Sequence, residues 1–411
     1  MAIRHRARRI WSTLRAERRT LRQGSIALLL STAAAFAAGL FLGSITDTLA
    51  ELPGLLILIP ASVGLRGTIF GAMAARLGTG IHAGTFDVAR GRRGVLGQNV
   101  EVAIALTFAS SIYLAVLAKV VATAFGETSI SLWDLLTISV IGATLASAAI
   151  LFVTIGLAVL SYHRGYDLDT VATPIITAVG DMVAIPALFL ATFLVRPDAL
   201  NAWLAAACLI VAACFTVWSV ATGSAVVRRI LLESVGIVLI ATLLDVLAGT
   251  LLEGRLARFE LFPGLLILVP PFVSQAGALG GILAARLSSK LQLGVITPRG
   301  RPEAPALVDA GLVVAFAVVV FTLIGVLGVA FSDLLGKAHP GAATMIGGTM
   351  LAGVIATAIV LVVGYYAAVL TARFGLDPDN HSVPFITSFM DLTGVLCLLF
   401  AMSLLGAGTY G

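Results

Sequence analysis

Long apolar stretches, broken at intervals by short polar or basic segments, make up most of this chain. Runs of 18 or more apolar residues recur, and an α-helix rising 1.5 Å per residue needs about 20 to cross a hydrocarbon core. No stretch alternates with period two over about ten residues, so a transmembrane β-barrel is excluded. The pattern predicts eleven spans, at roughly 25–46, 53–82, 98–125, 133–162, 171–195, 200–222, 230–252, 263–288, 308–335, 342–371 and 382–407. The expected fold class is an all-α polytopic membrane protein.

The pattern also repeats itself. Residues 53–84 reappear as 263–294 without a gap, with 15 identities in 32 positions. The same offset of 210 carries Gly165, Pro174, Thr177 and Asp181 onto Gly375, Pro384, Thr387 and Asp391. A constant offset between distant segments means two copies of one module. The domains expected are a basic tail (1–24), a first five-helix repeat (25–196), a connecting transmembrane helix (197–229) and a second five-helix repeat (230–411). Five helices would invert a directly fused second copy. The extra helix at 200–222 restores the orientation, so the repeats should be parallel, with a pseudo-twofold axis along the membrane normal. Equivalent residues then meet at equal depth.

Composition narrows the function. The chain is 59% hydrophobic and 11% charged, against about 25% charged in a soluble domain. That leaves no soluble domain and no basic surface for nucleic acid. The lysine and arginine excess follows alternate loops, placing the N-terminus in the cytoplasm and the C-terminus outside a plasma (inner) membrane. Cys208, Cys214 and Cys397 lie within apolar runs and do not read as a disulfide frame. The histidines are scattered, without metal-ligand spacing. No cluster of nucleophile, base and metal ligands points to an enzyme, and no organic cofactor is implied.

Acids inside apolar runs carry what chemistry there is. Asp181 and Asp391 each lie about ten residues into an expected span, about 15 Å from its cytoplasmic end. Such a carboxylate is costly unless it meets water, a partner or a cation. A structural, protonated acid is the plainer reading, but the duplication aims both at one axis. Prolines flank the same region. Pro60, Pro270, Pro174 and Pro384 each remove a backbone donor and free a carbonyl, to kink a helix or to ligate a cation. Gly67 and Gly277 begin matched G-x-x-x-G segments, which read first as close helix packing. Arg66 and Asp245 have no mates, because Ala276 and Ala35 stand at their equivalents. A midplane arginine needs an acid or water, so Arg66 is expected to pair with Asp181 or Asp245 and to modulate the path.

The paired PGLLILIP…AARL and PGLLILVP…AARL segments, with the later PIIT…D and PFIT…D segments, resemble the membrane domain of MgtE-type magnesium transporters. The likeness is to solute carriers of the family 41 kind, which carry two such domains in one chain. The string ITSFMDLTG is close to the final-helix segment of MgtE. The resemblance implies transport of a divalent cation, Mg²⁺ foremost, past the Asp of each last helix, here Asp181 and Asp391. Mg²⁺ sheds water reluctantly and takes few direct protein ligands. Two carboxylates with hydroxyls such as Thr177 and Thr387 can hold it partly hydrated. The pseudo-dimer within one chain allows a monomer. Three departures stand out. MgtE has soluble regulatory domains where this chain has about 24 residues, so sensing by such domains is not expected. Thr68 and Ala278 replace the family's Asn. Arg66 has no counterpart in the second repeat, where Ala276 stands. A secondary transporter using an intramembrane Asp for H⁺ or Na⁺ coupling is the alternative, and a membrane-embedded enzyme a remoter one.

Overall fold

The computed structural model describes residues 18–82, 84–86, 94–164, 168–195, 199–292, 294–374 and 378–407. Its elements are helices α1 (Arg18–Ser44), α2 (Thr46–Glu51), α3 (Leu55–His82), α4 (Val95–Phe125), α5 (Leu132–Arg164), α6 (Leu168–Thr192), α7 (Ala199–Thr222), α8 (Ala225–Glu253), α9 (Leu256–Leu261), α10 (Pro263–Gln292), α11 (Ala304–Leu334), α12 (Ala342–Phe374) and α13 (Pro378–Met402). One π turn, Ser403–Ala407, follows. No strand occurs among the described residues. Ten of these helices are long and apolar enough to cross a membrane, and α1 contributes a shorter apolar stretch, Leu28–Ser44.

Each expected span has its helix. Two further helices, α2 and α9, were not anticipated. They lie 210 residues apart and lead into α3 and α10. Their few polar residues (Asp47 and Glu51; Arg258 and Glu260) hid a single amphipathic turn and a half in what read as loop. Helix α8 starts five residues before its expected position, because Ser224 accepts a hydrogen bond from the Val227 amide and caps it. Arg228 and Arg229 then extend an otherwise apolar helix.

The two repeats are intertwined rather than side by side. Helix α1 packs on α10 and α6, and its mate α8 packs on α3 and α13. Thus the first helix of each repeat lies against the second helix of the other. Two matched glycines permit it. A Cβ at Gly39 would run into the Ile267 carbonyl oxygen, and one at Gly249 into that of Ile57. Backbones approach this closely only where one partner has no side chain. Helix α7 lacks a repeat mate and stays peripheral. Its apolar window is only 17% buried, and Trp203, Ile210, Val211 and Val217 face outward as a lipid-facing helix would.

Candidate cation path

Helices α3 and α10 carry the stripe nearest the centre. Gly64, Gly67, Thr68 and Gly71 on α3 are partly exposed, and so are Ser274, Ala278 and Gly281 on α10. These lie at helical spacing, one face each, while the opposite faces bury Leu65, Ile69 and Met73, or Leu279 and Leu283. Gly67 and Gly71 were expected to pack against a helix, yet a Cβ at either would meet nothing within 4 Å. They border open space, since their stripe faces the gap between helices. Gly277 differs: its Cβ position lies 3.7 Å from Asp391 Oδ1 and 3.7 Å from the Thr387 carbonyl oxygen.

Three acids reach this centre. Asp181 on α6 is 5% exposed, and its Oδ2 accepts a hydrogen bond from Ser274 Oγ at 2.9 Å. That bond ties the last helix of one repeat to the second helix of the other. Asp391 on α13 is half-buried and lies within electrostatic range of Asp181. Asp245 on α8 is 0% exposed. Its carboxyl faces that of Asp391 within hydrogen-bonding reach, with Ser388 beside it. When both acids are ionised neither can donate to the other; the Ser388 hydroxyl is then a donor beside Asp245, while no well-formed hydrogen bond from the described residues reaches Oδ1 or Oδ2. Among the described residues no three acids, histidines or cysteines converge into a ready cage. A hydrated ion needs none.

Arg66 corrects the sequence expectation. It is 1% exposed and pairs with neither Asp181 nor Asp245. Its backbone end lies against α6, where Gly180 would bring a Cβ to 3.7 Å of Arg66 Cβ. Its guanidinium turns instead toward α5 and donates from NH1 to Ser147 Oγ at 2.9 Å, and Ser147 in turn contacts Thr107 Oγ1 at 3.1 Å. Among the described residues Nε and NH2 have no partner. The reason is angular. Gly64, beside the acids, and Arg66 are two residues apart on a helix, roughly 200° around its axis. Equal depth does not imply a shared face.

Other sequence candidates fall into place around this centre. Thr177 is half-buried on α6, one turn before Asp181, and Thr387 occupies the same position before Asp391. Pro60 and Pro270 sit inside continuous helices. The carbonyls they free belong to Leu56 and Leu266, both 0% exposed, two turns from Gly64 and Ser274. The side chains of Pro174 and Pro384 lie outside the described residues. Toward the other end of α3 and α10, Arg76 Nε binds Asn99 Oδ1 at 2.7 Å, and Arg286 Nε binds Asp309 Oδ1 at 2.8 Å. Asp309 is 0% exposed and also pairs with Lys290 Nζ at 2.6 Å. Sequence reading missed Ser274, Gly64 and Ser388. The signal for the first two was present, since Gly64 and Ser274 are repeat mates at the depth of the acids.

A family model described as MgtE, divalent cation transporter, matches residues 59–191 and 269–401. The two matches stand at the offset of the internal repeat. Solute carrier family 41 member 3 of Rattus norvegicus is 25% identical, over 94% of this chain and 88% of its own length. Its Mus musculus counterpart is 26% identical over 87% of this chain and 77% of its own length. Solute carrier family 41 member 2 of Mus musculus is 26% identical over 85% of this chain and 64% of its own. No solved structure matches. With the family model covering both repeats, the chain belongs to the MgtE family of divalent cation transporters.

Proposed function

We propose that this chain conducts Mg²⁺ across the membrane along a path between its two repeats, past Asp181 and Asp391. The observation that carries this is the meeting of acids from both last helices on the small-residue stripes of α3 and α10. Thr177 and Thr387, one turn toward the cytoplasm, offer hydroxyls or carbonyls to the ion's water shell. A half-hydrated Mg²⁺ suits such a lining, because the ion gives up few waters and each lost one needs an oxygen in exchange. The carboxylates supply the charge that offsets the ion's desolvation.

Parallel repeats with the N-terminus inside place both acids near the midplane and leave the C-terminus outside. Two charges entering across 100 mV gain roughly 4.6 kcal/mol, twice the single-charge value. That suffices for inward flow without coupling. One chain supplies both halves, so a monomer is a complete unit. The test is Mg²⁺ flux into liposomes holding purified protein. Asp391→Asn should lower the flux at least tenfold while the protein elutes as a folded species. Wild-type flux in that variant would refute the path.

A further inference from the structure

The two halves of the centre are built differently, and the difference is matched at two positions. In one half, Asp181 meets Ser274, and Ala35 stands where a second acid would be. In the other, Asp391 meets Gly64, and the acid Asp245 occupies the place of Ala35. A Cβ at Gly64 would lie 2.5 Å from Asp245 Oδ2 and 3.4 Å from Asp391 Oδ2. Any side chain there would fill the space into which both carboxylates point. Serine in one half thus corresponds in the other to a bare backbone with a second carboxylate packed on it.

We propose that the divalent cation binds off-centre, held by Asp245 and Asp391 over Gly64, with Asp181 as a weaker outer-sphere contact. The proposal rests on the transport reading above and names the ligands of that path. Asp245 is fully buried, and among the described residues no well-formed hydrogen bond reaches either of its carboxylate oxygens, with the Ser388 hydroxyl beside it. Two facing carboxylates carry a charge of −2, which a hard divalent cation neutralises and a monovalent one does not. Among the described residues no basic group competes for them. On α3, Arg66 is turned to Ser147 and Arg76 to Asn99. On α10, Arg286 and Lys290 are held by Asp309. On α4, Lys119 binds Ser129 and the Ile130 carbonyl at the far end. Among the described residues Asp181 is the further acid in range, and Ser274 holds its Oδ2. A single ion between Asp245 and Asp391 can take an oxygen from each carboxylate and keep the rest of its shell as water.

The test uses the full chain in nanodiscs, with Mn²⁺ binding read by electron paramagnetic resonance and cation-free melting read alongside. Asp245→Asn should lose at least tenfold in Mn²⁺ affinity, Asp181→Asn no more than about threefold. The double variant with Asp391→Asn should lose less affinity than the product of the two single losses, because both acids serve one ion and their effects are coupled. Without cation, Asp245→Asn should melt above the wild type, since its amide can donate to Asp391 and the repulsion is gone. Asp245→Ala, which copies Ala35 of the other half, serves as the second variant with the same expected loss of affinity. Wild-type affinity in Asp245→Asn or Asp245→Ala, with affinity lost in Asp391→Asn, would overturn this site and leave the transport path standing. Wild-type affinity and flux in Asp391→Asn as well would overturn both. Failure of both Asp245 variants to fold would also overturn it, because Asp245 would then be a structural acceptor.

Discussion

Replacing Arg66 by methionine separates stability from ion binding in a way the geometry makes definite. The guanidinium is 1% exposed and makes one described hydrogen bond, to Ser147, with Nε and NH2 left bare. An uncompensated buried ion costs several kcal/mol, while one charge-assisted hydrogen bond returns about 1.5–3 kcal/mol. Methionine has similar length and fills irregular space. Ser147 keeps its contact with Thr107, so no hydroxyl is stranded. The expected net effect is a gain of about 1–3 kcal/mol, in line with apolar replacement of buried ions elsewhere. That is about 2 °C or more in melting temperature. A second effect reaches the ion. Arg66 faces away from the acids across its own helix, ~10 Å. At an effective dielectric of about 20, charges of +1 and +2 at that distance repel by about 3 kcal/mol. Arg66→Met should therefore tighten divalent-cation binding several-fold, with about a hundredfold as the ceiling. Melting in detergent and Mn²⁺ titration give both readings. A variant that is less stable, with unchanged affinity, would refute the reasoning, because it would mean that a buried partner satisfies the guanidinium.

Further outcomes follow from the same geometry. Asp309→Ala removes the buried carboxylate that Arg286 and Lys290 share and should destabilise more than Asp309→Asn, because Asn99 already holds Arg76 in the first repeat; equal melting temperatures for the two variants would contradict this. Gly249→Ala drives a methyl into the Ile57 carbonyl and should destabilise by 1 kcal/mol or more, whereas Gly67→Ala meets nothing and should melt no lower than wild type, given alanine's better helix propensity; the reverse order of melting temperatures would overturn the packing account. In the α10–α11 connection, Glu303 accepts from the Thr297 hydroxyl and amide, which holds its carboxyl below the usual glutamate range. A depressed acid contributes fully above its ordinary pKa and loses that contribution as pH falls through the folded value, so the Thr297 amide resonance should move only below the usual glutamate range. Movement at neutral pH would contradict it.

Much of this protein was legible in sequence. Apolar run length fixed the helices, because a hydrocarbon core admits little else. The offset of 210 fixed the internal duplication, and it singled out Asp181, Asp391, Gly67 and Gly277 before any coordinate was known. The short helices α2 and α9 were not legible, since six residues carry too little periodicity to be told from a loop. Nor was the centre's composition. Depth along each helix can be counted from the chain, but rotation about the helix axis depends on which neighbours pack against it. That is why Arg66, at the depth of Asp181, turns to Ser147, while Asp245 comes to face Asp391. Sequence set which residues lie deep in the membrane. Only the intertwining of the two repeats, with each first helix laid on the other's second, decided which of them meet.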